Sequence, residues 1–120
     1  MTVHLQSITF DCADPPAQAE FWSAVTGYTV TRSSPYFCEL VGDGTVGPRF
    51  MFIKVPEAKT AKNRTHVDLG AEDLTAETQR LVALGATVVG EYDEWGLQWV
   101  TFRDPEGNEF CLGRHPRSEA

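Results

Sequence analysis

Apolar and polar side chains alternate through VHLQSITFD, residues 3–11, which is the two-residue period of a strand with one face buried. The period then changes. Asp14-Pro15-Pro16 supplies an N-cap with prolines in the first turn, Ala17, Phe21, Ala24 and Val25 recur at helical spacing, and Gly27 ends the run, predicting a helix of about three turns. YTVTR, YFCELV and RFMFIKV return to strand-like patterns, separated by Ser33-Ser34-Pro35 and by the glycine-rich GDGTVGP, so the first half reads β-α-β-β-β.

The second half repeats that order. THVDLGAED, residues 65–73, is a strand running into an Asp73 cap; Leu74, Leu81 and Leu84 mark a helix that Gly85 closes. ATVVGEY, LQWVTF and NEFCLG follow as strands, with turns at Asp93-Glu94-Trp95-Gly96 and Asp104-Pro105-Glu106-Gly107. Gly27 and Gly85 lie 58 positions apart, and Asp14 and Asp73 lie 59 apart, so the chain contains an internal repeat. A unit of this size with one helix on one sheet face is marginal alone, and the bare faces are expected to meet across a core or a cavity. The fold class expected is α+β: two β-α-β-β-β modules with mixed curved sheets forming a cupped cleft, one helix behind each. The chain is read as one domain over 1–120, with module 1 at about 3–55 and module 2 at about 63–113. Gly42, Gly44 and Gly47 spell GxGxxG, but Pro48 and a strand follow where a phosphate site needs a helix, so this stretch is expected to be a hairpin loop.

Charge and cysteine usage narrow the partners. The 120 residues carry 10 Lys+Arg against 17 Asp+Glu, a net charge of −7, which repels a phosphate backbone and argues against nucleic acid. No apolar stretch approaches the ~20 residues that span a bilayer, and MTVHLQSITFDCAD lacks the character of a signal peptide, so a soluble, cytoplasmic protein without membrane partners is expected. Three cysteines without CxxC spacing argue against a disulfide framework and a zinc knuckle; reduced thiols are expected.

The paired modules, with DPPAQAEFWSAVTGY at the first helix, KNRTHVDL, and WVTFRDPEGNEF, resemble the vicinal oxygen chelate superfamily and, within it, the glyoxalase-like domains that include glyoxalases, bleomycin-type resistance proteins and ring-cleaving dioxygenases. The resemblance extends over roughly Val3 to Arg114 and implies a homodimer. It also implies that metal-using members place four ligands, commonly His, Glu or Gln, on the first and last strands of each module. Strand-by-strand matching puts those places at Ser7 and His66 and at Ile53 and Cys111. His66 alone keeps a usual ligand type; a serine hydroxyl is a poor ligand for a divalent cation and Ile53 has no donor atom, so no metal or other cofactor is expected.

Alternation puts Asp68 on the face of His66 and Glu109 on the face of Cys111, and these four residues are the candidate catalytic set. Several chemistries stay open for them. Three protein ligands suffice for an open zinc site. His66 with Asp68 also serves as a proton-transfer pair without a metal, and Cys111 is a nucleophile only if its thiol ionises, which Glu109 beside it disfavours. Against all three stands a structural role, with His66 hydrogen-bonded to Asp68 and Cys111 a small buried hydrophobe. Phe10, Phe21, Trp22, Phe102 and Phe110 are assigned to core, whereas Trp95 and Trp99 belong to a polar hairpin and are candidates for a pocket wall or a subunit interface. Ligand contact is assigned to Ser7, Arg49, Met51, Ile53, Trp95 and Trp99.

Two functions follow from this reading. One is a metal-independent binder of a small, aromatic or apolar organic molecule, of the resistance or sequestration type. The alternative is a lyase, isomerase or dioxygenase of the glyoxalase class with a rearranged metal or acid/base site.

Overall fold

The alternating and helical patterns resolve into β1 (Ser7–Cys12), α1 (Pro15–Thr26), β2 (Thr29–Ser33), β3 (Phe37–Val41) and β4 (Arg49–Lys54), followed by β5 (Asp68–Ala71), α2 (Leu74–Leu84), β6 (Thr87–Glu94), β7 (Leu97–Arg103) and β8 (Glu109–Arg114). The structure, a computed structural model, describes residues 2–44 and 47–114. Two units result, divided between Ala58 and Lys59. Each holds a four-stranded sheet, in the order β1-β4-β3-β2 in the first and β5-β8-β7-β6 in the second. In both, the first and last strands of the unit pair in parallel and the other pairs are antiparallel, so the sheets are open and mixed. This is the α+β, repeated β-α-β-β-β architecture read from the sequence.

The helix boundaries follow the capping chemistry. Asp14 and Asp73 each accept the backbone N–H three residues on, from Ala17 at 3.2 Å and from Ala76 at 3.0 Å, satisfying a donor that the first helical turn leaves free. At the other ends Gly27 (φ 78°) and Gly85 (φ 118°) take the left-handed conformation that closes a helix.

In the first unit one sheet face packs on α1. Trp22, Phe52 and Leu40 are fully buried, and Phe10 lies 5.4 Å from the Trp22 ring and 5.0 Å from Phe52. In the second unit Phe102 and Phe110 are fully buried and stacked at 5.2 Å, beside Val100, Leu112 and the α2 residue Leu81. Leu84, expected on the buried stripe of this helix, is exposed in its last turn.

The strand starts shift inward. The first strand begins at Ser7, leaving Leu5 exposed, and β5 begins at Asp68, so His66 sits two residues before the strand it was expected to occupy. The ladder extends back by one bond, to within a residue of it, because the Cys111 N–H donates to the Val67 carbonyl at 3.0 Å. Thr31 in β2 and Val89 in β6 are each an extra residue, skipped by the pairing on either side, so both units carry a β-bulge at the same point. The GDGTVGP loop lies partly outside the described residues; β4 follows it, as a hairpin requires.

Phe102→Ala, which empties the fully buried stacked position, is expected to lower stability by about 3–5 kcal/mol. Urea unfolding followed by far-UV circular dichroism measures it.

Candidate functional site

In the second unit, the turn Asp104–Asn108 delivers β8 to its place. Asp104 is buried, and its Oδ1 accepts the N–H groups of Glu106 and Asn108, both at 2.9 Å, while Gly107 (φ 88°) donates to the Asp104 carbonyl. The strand leaving this turn alternates strictly. Phe110 and Leu112 enter the core, and Glu109, Cys111 and Gly113 take the opposite face.

That opposite face holds the candidate chemistry. Asp68 lies directly across the parallel ladder from Cys111, and His66, in the segment just before β5, reaches the same place with its imidazole. One donor atom each from His66, Asp68 and Cys111 lies within 4.8 Å of the other two, with His66 Nε2 3.3 Å from Asp68 Oδ1. Thr101, across the antiparallel ladder from Cys111, brings its Oγ1 to 3.3 Å from the sulfur. His66 and Asp68 are exposed and Cys111 is half-buried, so the group is open to solvent on one side.

Glu109, expected with these three, is held elsewhere. Its Oε1 accepts the Asn63 N–H at 2.9 Å and lies 3.6 Å from Lys59 Nζ, and its Oε2 lies 3.6 Å from Arg103 Nε. The Asn63 N–H holds its carboxyl below the usual glutamate range; burial opposes the shift, and its own N–H, Lys59 and Arg103 reinforce it. Glu109 N–H donates in return to Asn63 Oδ1 at 3.3 Å, so the pair fastens the 59–66 segment to β8. Glu109 therefore orders the approach to His66, a role that strand alternation alone does not reveal.

His66, Asp68, Glu109 and Cys111 all line a cleft of about 1080 Å³ in this unit. Val89, Tyr92, Leu97 and Trp99 form an apolar wall, and the Tyr92 and Trp99 rings stack at 5.1 Å with 19° between planes. Two glycines shape that wall. Trp99 lies opposite Gly113, and a Cβ on Gly90 would stand 2.6 Å from the Tyr92 hydroxyl, so the ring lies across the strand because residue 90 has no side chain. Val89 is the bulged residue, which explains how it turns toward the cleft. Neither Val89 nor Tyr92 was singled out from the sequence as a ligand contact; the bulge that aims the first breaks the period that sequence reading relies on.

Trp95 is absent from the cleft lining. It occupies the β6–β7 turn at φ 55°, followed by Gly96 at φ 76°, and is 85% exposed, because a two-residue turn carries its side chain away from both strands.

Ser7, Arg49, Met51 and Ile53 belong to the first unit, where Arg49, Met51 and Ile53 alternate with the core residues Phe50 and Phe52 and so occupy the face away from α1. Arg49 lies 3.3 Å from Glu39, which also accepts the Thr31 hydroxyl at 2.8 Å. The register corrects one assignment. Thr9 pairs with Met51 as Asp68 pairs with Cys111, and Ile53 pairs with Asp11, so Met51 rather than Ile53 holds the place corresponding to Cys111. The first unit's counterparts of His66, Asp68 and Cys111 are Ser7, Thr9 and Met51. They offer two neutral hydroxyls and a thioether, and do not fit as ligands of a divalent cation, whereas the imidazole, carboxyl and thiol of the second unit do.

The comparisons agree with this architecture. The profile of the glyoxalase-like domain family matches residues 7–113, and the chain belongs to that family. Among solved structures it is similar to a glyoxalase/bleomycin resistance protein/dioxygenase family enzyme from Burkholderia phytofirmans PsJN (TM-score 0.79, 18% identity, 93% of this chain and 98% of that one covered). It is likewise similar to the genomically encoded fosfomycin resistance protein FosX of Listeria monocytogenes (TM-score 0.79, 16% identity, 98% and 97% covered). TioX from Micromonospora sp. ML1 matches with a TM-score of 0.65 at 21% identity, over 95% and 100% of the two chains. No curated protein matches in sequence. At these identities the structural neighbours establish the fold. No helix among the described residues is long and apolar enough to cross a membrane.

Because the folded Glu109 carboxyl ionises below its unfolded counterpart (about 4.3), its stabilising contribution is complete above that pH and is lost as pH falls through the lowered folded value. The stability difference between the natural chain and Glu109→Gln is therefore expected to be largest near neutrality and to close in acid. Urea midpoints measured across that range test it, and a pH-independent difference would contradict the assignment.

Proposed function

We propose that the protein binds a small, flat, largely apolar organic molecule in the cleft of its second unit, without dependence on a metal, in a resistance or sequestration role. The observation that carries this reading is the stacked Tyr92–Trp99 pair, flanked by Val89 and Leu97 and faced by a few polar groups. An aromatic wall buries a planar ligand through dispersion and desolvation, while sparse polar groups fix its orientation. Here His66, Asp68, Thr101 and Arg103 are those groups. The similarity in fold to a fosfomycin resistance protein supports the resistance role by analogy. The reading includes a cytoplasmic location, where Cys12, Cys38 and Cys111 stay reduced, and a homodimer.

A second reading, an enzyme of the glyoxalase class acting as lyase, isomerase or dioxygenase, is favoured by the convergence of His66, Asp68 and Cys111. In it His66, oriented by Asp68, accepts or donates a proton on a ligand seated against Trp99. A cation held by the three side chains would act as a Lewis acid toward a ligand oxygen.

Titration of chelator-treated protein with planar aromatic compounds, followed by tryptophan fluorescence, is expected to give saturable quenching. Trp99→Ala should weaken binding by roughly 30-fold, the equivalent of about 2 kcal/mol for an aromatic anchor. Trp95→Ala should leave affinity unchanged. Equal losses in both variants, or no saturable binding across the panel, would remove the binder reading.

A further inference from the structure

We propose that His66, Asp68 and Cys111 form a site for one thiophilic divalent cation, zinc by preference, built wholly within the second unit. The site differs from the four-ligand arrangement that the resemblance implies, since it draws no donor from the first unit and adds Asp68. It also stands apart from the binder reading, which needs no metal.

The first ground is that the backbone enforces the geometry. Asp68 and Cys111 are register partners in a parallel ladder, and His66, two residues before β5, brings its Nε2 to 3.3 Å from Asp68 Oδ1, so the three donors gather at the entry to that ladder. Their donor atoms lie within 4.8 Å of one another, inside a cleft rather than on a convex surface. The second ground is the surroundings of the sulfur. Thr101 Oγ1, 3.3 Å away, is placed to donate its hydroxyl proton to a thiolate and so to stabilise the ligating form. The third is Glu109. Its carboxylate is committed to Asn63, Lys59 and Arg103, so it does not compete for the cation, and the same bonds hold the segment that leads into His66.

The donor set selects the metal. Thiolate, carboxylate and neutral imidazole suit zinc, and the two anionic donors balance its charge; a single protein carboxylate is too few oxygens for calcium and gives magnesium no advantage over a thiophilic ion. Three protein ligands leave a coordination position for water or for an oxygen or sulfur donor of a bound molecule.

Cobalt(II) reports a thiolate ligand directly. Chelator-stripped full-length protein titrated with cobalt(II) is expected to develop, at one equivalent, a sulfur-to-metal charge-transfer band in the near ultraviolet together with the intense visible bands of a low-coordinate ion, and zinc should displace both. Cys111→Ser should abolish the charge-transfer band. His66→Ala and Asp68→Asn should each weaken zinc binding by at least about 10-fold, the lower bound for disturbing a metal's ligand environment. Far-UV circular dichroism and the fluorescence titration above establish that each variant is folded and separate this outcome from failure of the binder reading. Absence of the charge-transfer band in the natural chain, its survival in Cys111→Ser, or unchanged zinc affinity in both His66→Ala and Asp68→Asn would overturn the proposal.

Discussion

The parallel pairing of β5 with β8 is the constraint on which the site depends. Parallel neighbours keep a fixed register, and a slip of one residue sends every side chain of the moved strand to the opposite face. Asp68 and Cys111 point into one cleft only because they are partners in that ladder, with the Val67 carbonyl and Cys111 N–H extending it by one bond. Interactions remote from the chemistry defend the register. Asp104 orders the turn before β8, and the reciprocal bonds of Asn63 and Glu109 fasten the segment before β5 to the start of β8. Loss of either would be felt at the thiol although neither touches it.

The two units show how far one backbone plan can diverge in chemistry. Both pair their first and last strands in parallel, cap their helices with aspartate and glycine, and insert one extra residue in the strand after the helix. Yet the corresponding face positions read Ser7, Thr9 and Met51 in one and His66, Asp68 and Cys111 in the other. The first unit uses its face for an internal network, with Glu39 linking Thr31, Arg32 and Arg49. The second confines its network to Glu109 with Asn63, Lys59 and Arg103 and leaves the rest of its face as a cleft lined by aromatic rings.

The architecture was legible because its signals are local. Aspartate caps, glycine stops and the change between periods of 2 and 3.6 each act within a few residues, and the 58–59-residue repeat made each half a check on the other. The convergence of His66, Asp68 and Cys111 was legible for a similar reason, since alternation fixes faces once strands are assigned. What escaped depends on relations between strands. Strand-by-strand counting pairs Ile53 with Cys111 where the ladder selects Met51, because register is set by pairing and cannot be counted along one strand. Val89 and Tyr92 were passed over because a bulge interrupts alternation, and Trp95 was included because a left-handed turn residue leaves no mark in an apolar pattern. Glu109 lies on the expected face, but its ties to Lys59 and Asn63 span 46 and more residues and are invisible in sequence.

The unpaired residue in each bulge gives these units a degree of freedom that the rest of the sheet lacks. The laddered residues of these edge strands are each held by a cross-strand partner, whereas Thr31 and Val89 are skipped by the pairing and their side chains are released to local use: a hydroxyl bond to Glu39 in one case, a surface of the cleft in the other. Position 89 is therefore where the cleft wall can change, in a lineage or by design, without breaking a rung of the ladder.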